Sequence, residues 1–189
     1  MNILVKPCGS DYWICRPDTT WEKDNEDFYP PESVIELSFT PILFAKISKP
    51  GKAVGLKFAS RYFESINYGV LLYPENFASD GVLGFSQSCC VDHTSFLPAP
   101  MYNKITLGRK GNEFILQKDS KVIFSFNEGT ASMLEKAISE ASALTYLRVG
   151  DMVAIELAER KPLASRKEGN VRISGTYCDN LLLEFNVIM

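Results

Sequence analysis

An α+β fold dominated by strands is what this sequence predicts, on three observations. Apolar runs of strand length recur along most of the chain, separated by proline, glycine and small polar residues. Only one segment, Ala131 to Leu144, carries apolar residues at helical spacing over a helical length. The chain has 189 residues, 46% hydrophobic and 23% charged, which suits one medium globular domain with its own core.

In chain order the expected elements begin with a short strand, Ile3 to Val5, and an apolar run, Tyr12 to Cys15. Glu22 to Glu32 holds five acids and ends in Tyr29-Pro30-Pro31; adjacent prolines donate no ladder hydrogen bonds, so this reads as a solvated surface loop. Val34 to Leu37 and Ile42 to Lys46 read as two short strands, and Ser48 to Val54, around Pro50-Gly51, as a turn. Asn67 to Tyr73 is a compact apolar run ending at Pro74, the pattern of a buried strand. Three further strands are expected at Asn103 to Leu107, Glu113 to Gln117 and Lys121 to Phe126, the last two joined by Lys118-Asp119-Ser120 as a hairpin.

In the helix, Met133, Leu134, Ala137, Ile138, Ala141 and Leu144 fall on one side, with Thr130 placed to act as N-cap. Strands return at Met152 to Leu157, Val171 to Ser174 and Leu181 to Val187.

The totals exclude several classes of function. With 20 basic and 23 acidic residues the formal charge is −3, so no phosphate-neutralising excess exists and a nucleic-acid partner is not expected. No apolar stretch approaches the roughly 20 residues of a membrane span. Residues Met1 to Pro7 have neither a basic leader nor a long apolar core, and the five cysteines, an odd number at irregular spacing, suit a reducing compartment. The cytoplasm is the expected location.

The order of elements resembles the fumarylacetoacetate hydrolase family. The hairpin Phe114 to Val122, then Asn127, the helix, and Leu144-Thr145-Tyr146-Leu147-Arg148-Val149-Gly150-Asp151 look like that family's strand, turn, helix and Gly-Asp segment. Upstream, Pro41 to Lys46 resembles its proline-phenylalanine-any-lysine element, Ile66 to Leu72 its central strand, and Gly84-Phe85 the opening of the next strand. The resemblance runs from residue 41 to 189 and leaves 1–40 as an N-terminal extension or small subdomain packed on the core. It implies a mixed β-roll of the family's C-terminal domain type with one main helix, a homodimer, and Mg²⁺ or Mn²⁺ held by acidic side chains. Such enzymes cleave, isomerise, hydrate or decarboxylate β-keto and enol acids. A hard divalent ion wants oxygen ligands and stabilises the enolate.

This chain departs from that pattern where the metal should sit. The family's paired central-strand glutamates fall at Gly69 and Leu71, and its third carboxylate at Cys90, a soft ligand poorly matched to Mg²⁺. The threonine-rich pocket loop falls at Ile155-Glu156-Leu157-Ala158, and Ser95 to Asn103 is short, removing the segment that carries a pocket lysine. The expectation is therefore a protein without the ancestral metal chemistry. It would have no cofactor, unless Mg²⁺ or Mn²⁺ is held in an altered form, and would keep a binding or structural role with a small carboxylate as the possible ligand. Two rivals stand: a keto-acid enzyme with displaced carboxylates at Glu64, Glu75 or Asp92, and a Cys/His-dependent enzyme.

The candidate site residues are Lys46, Cys90 and His93. Lys46 matches a family lysine near the pocket, although an exposed strand-end lysine needs no function. Cys90 and the only histidine, His93, stand three residues apart beside Cys89 and Asp92, a spacing open to thiol chemistry or part of a soft-metal site. A zinc site would need a second ligand pair, and a packed cysteine pair beside a loop histidine explains the same residues. Glu156 and Glu159, with Arg160 and Lys161, read either as a charged pocket rim or as a solvated strand end. Asp151 reads as a turn residue.

Overall fold

The computed structural model describes residues 1–189. Two sheets and one long helix build it. The large sheet runs in the order β2 (Ile14–Pro17), β1 (Asn2–Lys6), β10 (Met152–Glu156), β4 (Glu36–Ile47), β5 (Phe63–Pro74), β6 (Ser95–Phe96), β3 (Trp21–Glu22), with β11 (Lys161–Ser165) beside β4 and β7 (Tyr102–Asn103) beside β5. The small sheet is β13 (Asn180–Val187), β12 (Val171–Tyr177), β8 (Phe114–Lys118) and β9 (Lys121–Phe126). Mixed α+β architecture, mostly strand, is as the composition and periodicity predict.

The centre of the large sheet is buried on both faces, which is why its strands read as continuous apolar runs instead of alternating ones. On β4, Leu43, Ala45 and Ile47 enter the larger core with Tyr68, Val70 and Leu72 of β5, Leu134 and Ile138 of α4 (Ala131–Leu144), and the inner residues of the small sheet. Ile42 and Phe44 point the other way. They join Ile3, Val5, Leu71, Tyr73, Met152 and Ala154 in a second cluster.

The two runs expected on either side of Pro41 are one twelve-residue strand, β4. Proline interrupts a strand by lacking an N–H, yet here little is lost. The Pro41 carbonyl accepts from Leu157 N, so its ring nitrogen faces the same side, where β10 ends and β11 begins.

Gly84-Phe85 is not a strand: it lies in helix α3 (Gly81–Ser88), which follows the short helices α1 (Leu56–Ala59) and α2 (Glu75–Ala78). The expected strand from Asn103 shortens to β7, because Lys104–Thr106 turns as a 3₁₀ helix in which Ile105 N donates to the Asn103 side chain at 3.0 Å. Strand β11 begins at Lys161, the last residue of the charged run Glu156 to Lys161, and is not among the strands expected from the sequence. Thr130 does occupy the N-cap position of α4, but its hydroxyl pairs with Ser132 Oγ at 2.9 Å and caps no backbone N–H.

The hairpin between β8 and β9 turns at Asp119 and Ser120, both at positive φ, the geometry of a two-residue primed turn. Residues of the first 40 share the main sheet, β1 pairing in parallel with β10 from Ile3↔Met152 to Lys6↔Ile155. Asp151 fastens this junction: its carboxylate accepts from Asn2 N and from Arg148 N, each at 2.8 Å. No helix is long and apolar enough to cross a membrane.

Candidate functional site

The face of the large sheet bearing Leu71 and Tyr73 is where the resemblance expects metal ligands, and strand period two decides what points there. Along β5 these are Asn67, Gly69, Leu71 and Tyr73; on β4, opposite them, Phe44, Ile42, Thr40 and Ser38; on β10, Met152, Ala154 and Glu156. After β6 the chain folds back across this face. Leu97 enters the second cluster, and the Asn67 amide donates to the carbonyls of Pro98 and Pro100 at 3.2 Å each. Trp21 Nε1 holds the Leu97 carbonyl at 3.0 Å.

Gly69 is what permits that crossing. A Cβ built there would fall inside the van der Waals envelope of the Phe96 carbonyl oxygen and 3.5 Å from Leu97 Cδ2. Leu71 is fully buried beside it. The Ser95 to Asn103 segment thus lies directly over Gly69 and Leu71.

The donor set does not fit a divalent ion. Gly69 and Leu71 offer no ligand atom, Cys90 donates its thiol to the Ser86 carbonyl at 3.4 Å, and no three His, Cys, Asp or Glu side chains converge anywhere. The displaced carboxylates lie apart: Glu64 pairs with Lys104 at 3.1 Å, Glu75 accepts from Ser38 Oγ at 2.5 Å, and Asp92 lines a different cleft.

A cation of the protein's own sits on this face instead. Arg16, on β2 opposite Ile3, is fully buried; its Nη1 donates to the Thr94 carbonyl at 3.0 Å and Ser95 Oγ at 2.9 Å, and its Nη2 to the Leu72 carbonyl at 2.7 Å. Its Nε has no partner and it makes no carboxylate pair. Since β2 and β6 lie towards opposite ends of the strand order, this side chain bridges the sheet into a nearly closed roll.

At the rim, Tyr73 donates to Glu156 Oε1 at 2.6 Å, and Cys8 N donates to Glu156 Oε2 at 3.1 Å. Burial holds the Tyr73 hydroxyl well above the usual tyrosine range; Arg16 opposes that and the Glu156 carboxylate adds to it. Arg160 caps the outer side, 5.5 Å from the Tyr73 ring and 5.4 Å from that of Phe85, with Glu75 at 3.6 Å. A cleft of about 610 Å³ opens beyond Arg160, lined by Glu36, Glu75, Glu159, Lys161 and Glu168 among others. Glu156 and Arg160 are therefore rim residues, one turned inward and one outward.

Cys90 and His93 share a second cleft of about 780 Å³, formed where the acidic segment from Glu26 to Pro31 faces the turn after α3. They are not hydrogen-bonded to each other. His93 Nδ1 pairs with Glu22 Oε2 at 3.0 Å. That segment is less of a free loop than its composition suggests, because Phe28 is buried and bridges to Val187, and the Glu22 side chain is only 5% exposed. Lys46 lies away from this cleft, exposed at the end of the β4 face that carries Ile42 and Phe44, between Met152 and Ser65, with no ion pair. Arg16 and Glu22 carried no signal in the sequence: one reads as a strand-end cation, the other as the first acid of a polar run.

Neither a protein-family model nor a curated protein sequence matches the chain. Solved structures do. Fumarylpyruvate hydrolase from Pseudomonas aeruginosa, in complex with Mn²⁺ and pyruvate, superposes with a TM-score of 0.77 at 14% identity, over 100% of this chain and 96% of that one. The 2-hydroxyhepta-2,4-diene-1,7-dioate isomerase of Mycobacterium marinum gives 0.79 at 16% identity, over 99% and 74%. A Yersinia pestis CO92 protein provisionally assigned to the fumarylacetoacetate hydrolase family gives 0.78 at 13% identity, over 99% and 92%. The chain therefore has the fold of the fumarylacetoacetate hydrolase family and its related isomerases, the β-roll that the order of its sequence elements resembles. At these identities the likeness is one of fold.

Proposed function

We propose that this chain is a divergent fumarylacetoacetate hydrolase-like protein that has exchanged the divalent-metal centre for a packed interior and acts in binding or as a structural homodimer. The observation carrying this reading is the crossing of the metal-ligand face by Leu97 to Pro100, tied to Asn67 and seated on Gly69. A glutamate at that position has no room, and a leucine two residues on fills the remaining volume. The five unpaired cysteines suit a reducing compartment such as the cytoplasm.

A small carboxylate, the ligand class the resemblance implies, would meet Arg160 and Lys161 in the outer cleft. To reach Arg160 it must displace Glu75, which stands 3.6 Å away.

The test is thermal unfolding with and without excess Mn²⁺ plus oxalate, a mimic of a keto-acid enolate. Saturation at about 100 times the dissociation constant adds roughly 2.7 kcal/mol, an upward shift on the order of 5 °C or more for a chain of this size. No shift is the expected result. A shift that needs both components would establish the rival reading, an active hydrolase or isomerase with displaced ligands. Sedimentation at micromolar concentration decides the homodimer.

A further inference from the structure

We infer that one end of the large sheet is a docking face for an anionic lipid surface, formed by six unpaired cations around a group of protruding apolar side chains. This is independent of the reading above, since every side chain it uses is exposed and none packs in the interior.

Topology brings two connections to this end. Strand β4 finishes at Ile47, level with Phe63 at the start of β5, and Lys46 is level with Met152 at the start of β10. The connection from β4 to β5 and the one entering β10 therefore lie side by side. Backbone pairs join them: Gly51 N donates to the Leu147 carbonyl at 3.0 Å, Leu147 N to the Gly51 carbonyl at 2.8 Å, and Ala53 N to the Ser142 carbonyl at 2.8 Å. The Lys52 ammonium donates to the Ala143 carbonyl at 3.1 Å, near the end of α4. Helix α1 lies within the first connection, and Ser139 of α4 donates to the Val54 carbonyl just before it at 2.8 Å.

Residues 46–62 and 143–150 contain Lys46, Lys49, Lys52, Lys57, Arg61 and Arg148, and no acid. All six cations are exposed and none makes an ion pair. The flanking acids are engaged elsewhere: Glu64 with Lys104, Glu140 with Lys6 and Lys136, and Asp151 with the N–H groups of Asn2 and Arg148. In a chain of net charge −3, this is a local field of the opposite sign. Among the cations stand Leu56, Phe58, Leu144, Tyr146 and Val149, each 42–65% exposed. The Phe58 ring has Lys57 Nζ at 4.9 Å and Arg61 Cζ at 5.2 Å from its centre.

Charge complementarity and exposure together define the occupant. The cations call for a partner that supplies negative charge, and the protruding apolar side chains for one that supplies hydrocarbon. A bilayer carrying anionic lipids offers both at its headgroup and acyl boundary. The lysine stems let their ammonium groups stay among the headgroups while the apolar tips enter, and Tyr146 suits a boundary with one apolar and one wet side. Nucleic acid would supply the charge and could stack on Phe58 and Tyr146, but it leaves Leu56, Leu144 and Val149 against phosphate and sugar. A second copy docking through the same face about a two-fold axis would set six cations against six.

Co-sedimentation of the full chain with vesicles tests this, comparing phosphatidylcholine alone with phosphatidylcholine containing about 30% phosphatidylserine at about 0.1 M salt. Binding is expected to the anionic vesicles only, and should disappear as salt approaches about 1 M. The double variant Lys49→Gln, Lys57→Gln should lower the partition coefficient roughly 25-fold, at about fivefold per cation. The pair Leu144→Gln, Val149→Gln should lower it by at least about tenfold, through lost apolar burial. Val82→Gln, Leu83→Gln is the control: it removes side chains 84% and 86% exposed on α3, away from this face, and should bind as wild type does. No binding to the anionic vesicles at about 0.1 M salt overturns the inference, as does an equal loss in the control pair. A loss in the lysine pair with none in the Leu144 and Val149 pair marks a charge-only surface for a soluble polyanion and overturns the lipid occupant.

Discussion

The guanidinium of Arg16 lies 4.6 Å from the centre of the Tyr73 ring, and both side chains are closed off from solvent. A buried cation on an aromatic face, with three oxygen acceptors and no carboxylate, is costly to place and more costly to disrupt, since its removal orphans polar groups that water cannot reach.

Arg16→Ala should therefore destabilise the fold by about 3–5 kcal/mol, through the lost hydrogen bonds and the cavity left beside Tyr73. Arg16→Met, which fills more of the volume, should lose less. Urea unfolding of both variants checks this, and equal losses would place the effect in the hydrogen bonds alone.

Gly69→Ala tests the crossing segment. The added methyl meets the Phe96 carbonyl, a backbone atom that cannot step aside, so a loss of roughly 2 kcal/mol or more is expected. Gly69→Glu should lose at least as much and should gain no Mn²⁺-dependent stabilisation.

Tyr73→Phe leaves Glu156 facing an unpaired edge, at a cost of about 1–3 kcal/mol near neutral pH. The alkaline limb should change in the opposite sense. Burial raises the pKa of Tyr73, and likewise those of Tyr68, Tyr102 and Tyr177. A raised folded-state pKa means stability fully present below the unfolded value near 10 and lost as pH climbs towards the folded one. Stability of the wild type should thus fall above about pH 10. The fall should be shallower in Tyr73→Phe, as unfolding midpoints at pH 8 and 10.5 would show.

Leu134→Ala addresses the helix. Leu134 is fully buried in the larger core, so about 2–5 kcal/mol is expected. Lys136→Ala, exposed on the same helix and paired with Glu140 at 3.9 Å, should change stability by under about 0.5 kcal/mol.

Much of the architecture was legible because it is local. Helix α4 announces itself by spacing, the β8–β9 hairpin by its turn residues, and β5 by an unbroken apolar run. Strand β4 was read as two because proline breaks strands in general; only the gap between β10 and β11 removes the penalty at Pro41. Gly84-Phe85 was taken from the resemblance as a strand opening, and the short glycine-containing run that became helix α3 has no period strong enough to correct it.

Of the candidate site, the proximity of Cys90 and His93 was already in their spacing, and the resemblance placed the family's paired glutamate positions at Gly69 and Leu71, which offer no ligand atom. The carboxylate behind His93 was not, since Glu22 lies 71 residues away in sequence. Nor was the role of Arg16, which reaches Leu72, Thr94 and Ser95 across the roll. Residue identities alone determined which positions can offer no metal ligand, because a side chain that lacks a ligand atom lacks it in any fold. Which groups meet was decided by tertiary structure, because sheet closure brings together residues that neither spacing nor periodicity relates.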